Sequence, residues 1–218
     1  MKTKTNEELQ KDVQDAIKWE PLLNAAEIGV TAKDGIISLT GVVDNYYKKL
    51  EAENAAKNVM GVKAVVEKIE IKFSGASNKT NSQVAIDVLD ALKMRWDVPN
   101  DKVKVGVEDG WVTLGGELSW YFQKNAAQDA VAYLNGVKGV TNNIKIKSEI
   151  NNQIKKEDIE HAIDRHWSLS DSNIQVAVSG NTATLTGTVA SWYQRNEAER
   201  IAWDAPGVWN IENKLIIG

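Results

Sequence analysis

The chain has 218 residues, with 26 basic against 30 acidic side chains and a net charge of −4. Sequence-independent nucleic-acid binding draws on clustered Lys and Arg, so that balance argues against it. The absence of cysteine excludes disulfides, thiolate catalysis and cysteine-held zinc. No apolar run reaches the 18 residues that would suggest a transmembrane segment.

In chain order, a polar start runs directly into an amphipathic helix carrying Leu9, Val13, Ala16 and Ile17 at spacings of three and four. Thr5 and Glu8 stand at capping-box spacing ahead of it. The same stretch holds neither an apolar export segment nor a lipidation cysteine, which predicts a cytoplasmic location, or a periplasmic one if an export signal has been removed. A strand with Ile28 and Val30, a turn at Lys33-Asp34-Gly35 and a second strand with Ile37 and Leu39 follow. That strand ends at Gly41, where a side chain would obstruct a bulge or close helix packing. A helix with Ala52, Ala55 and Ala56 then runs to Gly61, read as its left-handed terminus, and a last strand spans 62–72.

The series begins again after Ser74–Asn81, which reads as a short linker. Thr80 and Gln83 cap a helix with Val84, Val88, Ala91 and Leu92. Strand Val103-Val105-Val107, turn Glu108-Asp109-Gly110 and strand Val112-Leu114 lead to Gly116. A helix with Ala126, Ala127, Ala130 and Val131, given Ser119 as its cap, runs to Gly136, and the strand 137–147 closes the unit. After a second linker, Ser148–Gln153, comes a third series. Its first helix carries Ile159, Ala162, Ile163 and His166 without a clear start signal. Strands with Ile174-Val176-Val178 and Ala183-Leu185 flank Ser179-Gly180-Asn181; a helix with Ala198, Ile201 and Ala202 separates Gly187 from Gly207, and the strand 208–217 ends the chain.

The paired glycines stand 20 residues apart in each series, and the series align without gaps at offsets of 75 and 71. One unit is written three times. The boundaries are 5–73, 80–147 and 152–218, and the fold class is α+β: three tandem small domains, each helix-strand-strand-helix-strand, with two helices on one face of a three-stranded sheet. The strand order stays open, because the second helix can return its strand beside either hairpin strand. Gly41, Gly61, Gly116, Gly136, Gly187 and Gly207 are assigned structural roles.

The run Asp109-Gly110-Trp111-Val112-Thr113-Leu114-x-Gly116, followed by Gly136-Val137-x-x-Val140-x-Asn142, resembles the signature of the BON domain family of bacterial osmotically inducible and nodulation-related proteins. Repeat 3 carries it as Ala183-Thr184-Leu185-Thr186-Gly187 and Gly207-Val208-Trp209-x-Ile211-x-Asn213. Repeat 1 carries Asp34-Gly35-Ile36-Ile37-Ser38-Leu39-Thr40-Gly41 and Gly61-Val62, with Glu67 in place of the asparagine. The resemblance implies phospholipid or envelope association and osmotic-stress protection, with no catalytic centre.

Candidate chemistry is sparse. His161 and His166 are the only histidines, and their separation of five places them about 140° apart on a regular helix, so they do not make a same-face metal pair. No nucleophile elbow or phosphate loop occurs, and neither a cofactor nor a metal is expected. Lys102 and Lys104, and Lys145 and Lys147, alternate along strands and could share a face; the simpler reading is a solvated surface. Among eight tryptophans, Trp96 and Trp167 align at the end of the first helix, where repeat 1 has Pro21. The second-helix entrances read Asn45-Tyr46-Tyr47, Trp120-Tyr121-Phe122 and Ser191-Trp192-Tyr193. Packing is the ordinary fate of such rings, yet aromatics with polar edges also suit membrane interfaces and protein hot spots. The candidate lipid- or partner-binding set is therefore Tyr46, Tyr47, Trp120, Tyr121, Phe122, Lys124, Trp192, Tyr193, Arg195 and Trp209, with Lys48 and Lys49 nearby. The leading expectation is a non-enzymatic, stress-associated protein that binds anionic phospholipid surfaces weakly. The alternatives are a protein-interaction scaffold or chaperone-like binder, and then a solute or ion sensor. The sequence sets no oligomeric state and names no ligand or division of labour among the repeats.

Overall fold

The computed structural model describes residues 4–73, 79–147, 154–170 and 172–218, so the two expected linkers lie largely outside the described residues. Repeat 1 forms α1 (Asn6–Trp19), β1 (Ile28–Lys33), β2 (Ile36–Val43), α2 (Tyr46–Lys57) and β3 (Ala64–Ile71). Repeat 2 forms α3 (Asn81–Met94), β4 (Val103–Glu108), β5 (Trp111–Leu118), α4 (Tyr121–Ala132), β6 (Gly139–Asn142) and β7 (Lys145–Ile146). Repeat 3 forms α5 (Lys156–Asp164), β8 (Asn173–Ser179), β9 (Thr182–Val189), α6 (Trp192–Trp203) and β10 (Asn210–Ile217). Each is a helix-strand-strand-helix-strand unit with two helices packed on its sheet.

The helix starts follow the side-chain chemistry. Thr5 Oγ1 accepts from Glu8 N at 3.2 Å while Glu8 Oε2 accepts from Thr5 N at 2.8 Å, and Thr80 and Gln83 make the same exchange at 3.3 and 2.9 Å. Two free amides are thereby satisfied at each start. Helix α5 has no side-chain cap and only nine residues against 14 in α1 and α3. It ends at Asp164, so His166 lies beyond the helix whose apolar face it was expected to extend. Ser119 is not the cap of α4: Trp120 is, its N–H donating to Gln123 Oε1 at 3.2 Å. In repeat 3 a buried Ser191 does cap α6, accepting from Gln194 N at 3.2 Å.

The strand order left open by the sequence is β1-β2-β3, β4-β5-β6 and β8-β9-β10, with β7 also on β5, so the second hairpin strand is central each time. The hairpins are antiparallel; β6 and β7 run parallel to β5, from Trp111↔Gly139 to Leu118↔Ile146, and β10 runs parallel to β9. A strand returned by a helix comes back parallel, which antiparallel hairpin turns cannot do. In repeat 2, Val84, Val88 and Leu92 of α3 and Ala126, Ala127 and Val131 of α4 close over Val112, Leu114 and Leu118 of β5. Repeat 3 builds the equivalent core from Ile159, Ile163, Leu185, Ala198 and Ala202. The alternate residues of the central strand, such as Thr113 and Glu117, are exposed on the other face. By packing, the chain divides into two compact units, one of Met1–Gly41, Glu51–Ile69 and Ile150–Gly218, the other of Val42–Leu50 and Glu70–Glu149.

The paired glycines hold special backbone positions, with two corrections to the reasons expected for them. Helices α2, α4 and α6 end four residues before Gly61, Gly136 and Gly207, because single turns such as Leu134 N to Val131 O and Val137 N to Leu134 O intervene. Gly136, at φ +94°, completes that reversal. Gly116, at φ +119°, makes room for a backbone carbonyl and not for one of the two packing α-helices: a Cβ there would lie 2.1 Å from Lys102 O, at the end of the short 3-10 helix Asn100–Lys102 that leads into β4. Gly41 and Gly187 meet Glu27 O and Asn173 O at 2.0 and 1.9 Å in the same way. No L side chain fits so close to a backbone atom at that φ. Its neighbour Gly115 has nothing within 4 Å of a Cβ. Gly116→Ala is therefore expected to cost more than about 2 kcal/mol in chemical denaturation, and Gly115→Ala less than about 1 kcal/mol. Equal losses at the two adjacent positions would contradict the assignment.

Candidate functional site

The aromatics at the second-helix entrances divide into packed and exposed rings. Tyr47 stacks on Tyr133 at a centroid distance of 3.9 Å and an interplanar angle of 24°, while Tyr46 lies against the core of repeat 2. Trp192 Nε1 donates to Lys63 O at 3.1 Å, with Lys57 Nζ 5.7 Å and Arg195 Cζ 5.2 Å from the indole centroid. Arg195 also donates to Asn213 O at 2.8 Å, and Lys48 pairs with Asp44 at 2.8 Å. In both contacts, the entrance of one repeat's second helix meets the chain just past the second helix of another repeat. Trp120, Tyr121, Lys124 and Trp209 are half-buried, and Trp209 Nε1 has no acceptor among the described residues. Phe122 and Tyr193 remain 54% and 39% exposed.

The asparagine of the sequence signature is a clamp. Asn142 Nδ2 donates to Lys124 O at 2.8 Å and Gln128 Oε1 at 3.3 Å, and its Oδ1 accepts from Ile144 N at 3.2 Å. Asn213 repeats this with Arg195 O, Glu199 Oε2 and Leu215 N at 3.1, 2.8 and 3.2 Å. Glu67 keeps only the acceptor half toward the chain two residues on, receiving Ile69 N. A carboxylate has acceptors alone, so it cannot donate to the helix carbonyl as the carboxamide does.

The most exposed large rings sit elsewhere. Trp19 is 84% exposed at the last residue of α1, Trp96 95% exposed two residues beyond α3, and Trp167 80% exposed three residues beyond α5. Every repeat thus presents one bare indole at the exit of its first helix. Met94 and Leu22 add apolar surface, at 86% and 53% exposure, and the exposed cations Lys18, Lys93 and Arg165 stand within three residues of the rings. None of these three rings is in the candidate set; the sequence singles out Trp96 and Trp167 as aligned, and passes over Trp19 because position-by-position alignment sets Pro21 opposite Trp96.

The BON domain model matches residues 5–72, 80–148 and 151–218. The chain belongs to the BON domain family. A relative is the osmotically-inducible protein Y of Escherichia coli strain K12, 28% identical over 134 residues; the match covers 57% of this chain and 64% of that protein's length. Among solved structures, CdsD, a structural protein of the Type III secretion system of Chlamydia trachomatis, shares 17% identity at a TM-score of 0.25, covering 95% of this chain and 91% of that one. The PrgH periplasmic domain shares 10% at 0.21, covering 88% and 95%. At such TM-scores neither likeness bears on this chain's fold or function. Among the described residues of this BON-domain chain no helix is long and apolar enough to cross a membrane.

No group of three or more metal-ligating side chains is found among the described residues, and His161 lies with Glu157, Glu160 and Asp164 around an open cavity of about 330 Å³. In the third BON domain His166 is half-buried, its Nε2 3.1 Å from Glu197 Oε1 and its Nδ1 2.9 Å from Ser168 Oγ. Glu197 also receives Arg200 Nε and Nη2, at 3.0 to 3.1 Å and 2.7 Å. Those guanidinium hydrogen bonds hold its carboxyl below the ordinary glutamate range, against the opposing effect of partial burial. A depressed folded-state pKa contributes stability that is present above the unfolded value, near 4.3, and is lost as pH falls through the lowered one. Glu197→Gln should therefore be less stable than the parent at pH 7, with the difference in thermal midpoint clearly smaller at about pH 3. A gap that persists unchanged at that pH would assign the loss to packing.

Proposed function

We propose that this chain is a stress-associated BON-domain protein that associates weakly with anionic phospholipid surfaces, and that the three exposed tryptophans are its principal contacts. The observation that carries the reading is one nearly bare indole at the same place in every repeat. A lone exposed apolar residue needs no explanation, but a thrice-repeated one does. An indole combines a large apolar body with one hydrogen-bond donor, which suits the headgroup level of a bilayer. The adjacent Lys18, Lys93 and Arg165 supply attraction to anionic headgroups that partly offsets the net charge of −4. The contacts are those of a leaflet surface and serve equally on its cytoplasmic or periplasmic side.

The entrance set keeps a secondary place in this reading. Phe122 and Tyr193 are its exposed rings, and we assign them supporting contacts at the lipid surface. The stack of Tyr47 on Tyr133 and the bond from Trp192 to Lys63 favour the scaffold alternative for the remaining rings, in the restricted sense of contacts between repeats of one chain.

Sedimentation with phosphatidylglycerol vesicles tests the proposal. Trp19→Ala, Trp96→Ala and Trp167→Ala should each weaken binding roughly tenfold if half of each ring is buried in the interface. Their thermal midpoints should stay within about 2 °C of the parent, since exposed side chains contribute little to folding. Trp120→Ala with Tyr121→Ala should weaken binding less and lower the midpoint more. Undiminished vesicle binding by the triple tryptophan variant would overturn the proposal.

A further inference from the structure

The open face of the second BON domain's sheet carries a groove of about 780 Å³. Lys102 and Lys104 line one side, Lys145 and Lys147 the other, and Glu117 of the central strand lies between them, with Asp101 at the rim. The register explains the convergence. Lys104 pairs with Gly115 across β4 and β5, and Lys145 pairs with Glu117 across β5 and β7. Alternation along the strands puts Val103, Ile144 and Ile146 into the core and the lysines outside. Neighbouring strands lie about 4.8 Å apart, so the two rows of lysines start from backbones about 10 Å apart. Lys147 faces Glu117 at 3.7 Å, whereas Lys102, Lys104 and Lys145 have no carboxylate partner within ion-pair distance among the described residues.

The other repeats lack this arrangement. At the four lysine positions repeat 1 has Glu27, Gly29, Glu70 and Lys72, and repeat 3 has Asn173, Gln175, Ile216 and Gly218. The floor differs as well. Thr40 stands over Gly29 in repeat 1, so that a Cβ on that glycine would lie 2.7 Å from Thr40 Oγ1, and Thr186 pairs with Gln175 in repeat 3. In repeat 2 the threonine is replaced by Gly115, whose outward position is open for 4 Å. Four cations thus face a bare strip of central-strand backbone with two carboxylates among them, an excess of positive charge in a chain that is acidic overall.

We infer that this groove is an oxyanion site for a small molecule bearing two or more linked phosphate groups. A phosphate carries 1.5 to 2 negative charges near neutral pH and three acceptor oxygens. Linked phosphates let one ligand engage lysines from both rows, while Glu117 rejects weakly charged solutes. The site is independent of the tryptophan contacts proposed above, and phosphate chemistry can reach it from solution or from a lipid headgroup.

Inorganic pyrophosphate is the probe, followed by amide and Lys side-chain chemical shifts of the full chain at low salt. Saturable shifts should be confined to residues 101–104, 115–118 and 143–147. Lys104→Gln with Lys145→Gln should weaken the binding about five- to thirtyfold, at roughly 0.5 to 1 kcal/mol for each exposed contact, whereas Lys33→Gln with Lys68→Gln, the same charge change in repeat 1, should leave it unaltered. Glu117→Gln should tighten it. Phosphatidylglycerol sedimentation of the same variants separates the sources: unchanged vesicle binding assigns the groove to a soluble anion, and a parallel loss assigns the phosphate to a headgroup. Shifts spread over lysines throughout the chain, or equal weakening by the two lysine pairs, overturn the inference. Loss of vesicle binding by the tryptophan variants with pyrophosphate binding intact would leave this site standing, and vesicle binding that depends on the tryptophans in a chain that shows no saturable pyrophosphate shifts would remove it alone.

Discussion

Two helices are all that a unit of about 70 residues supplies to cover its sheet, and the central strand must therefore be apolar on one side and tolerant of water on the other. Small units bury only about 60 to 65% of their unfolded surface, so the single covered face has to hold nearly all of the core. That restriction accounts for the alanines of α2, α4 and α6, which let the helices lie close. It also accounts for Gly41, Gly116 and Gly187, which bring the central strand against the carbonyl at the start of its neighbour. The uncovered face and the helix ends are released from packing. It is there that the repeats differ, as the lysine-lined groove of repeat 2 shows.

The same restriction separates legible from illegible features of the sequence. Leu9, Val13 and Ile17, or Val84, Val88 and Leu92, are buried because burial enforces helical spacing, so periodicity reveals them. Asp34 and Asp109, at φ 53° and 49°, and the glycines after them are legible because the hairpin turn enforces positive φ. The strand order was not legible, since either neighbour of the returning strand leaves the apolar pattern unchanged. Trp19 was missed for a related reason. Helices α1 and α3 align residue for residue, which sets Trp19 opposite Met94 and Pro21 opposite Trp96. An exposed ring is not held in register by a core, so a role can persist while its position shifts by two residues.

The entrance aromatics show the limit of composition as a guide to contact. Tyr47 and Trp192 have the character expected of an interface and do form interfaces, but with other parts of their own chain. Their sequence context is indistinguishable from that of Phe122 and Tyr193, which remain exposed. Only the partner decides between the two outcomes, and the partner comes from another repeat, far away in sequence.

Lipid contact through the three exposed tryptophans can be followed ring by ring, because each indole N–H gives its own signal in a ¹⁵N-correlated spectrum. Phosphatidylglycerol bicelles doped with a headgroup spin label should broaden the signals of Trp19, Trp96 and Trp167 selectively. The signal of Trp192, whose N–H is already given to Lys63 O, should stay sharp. Broadening of Trp192 and Trp120 with the three helix-end indoles untouched would contradict the account.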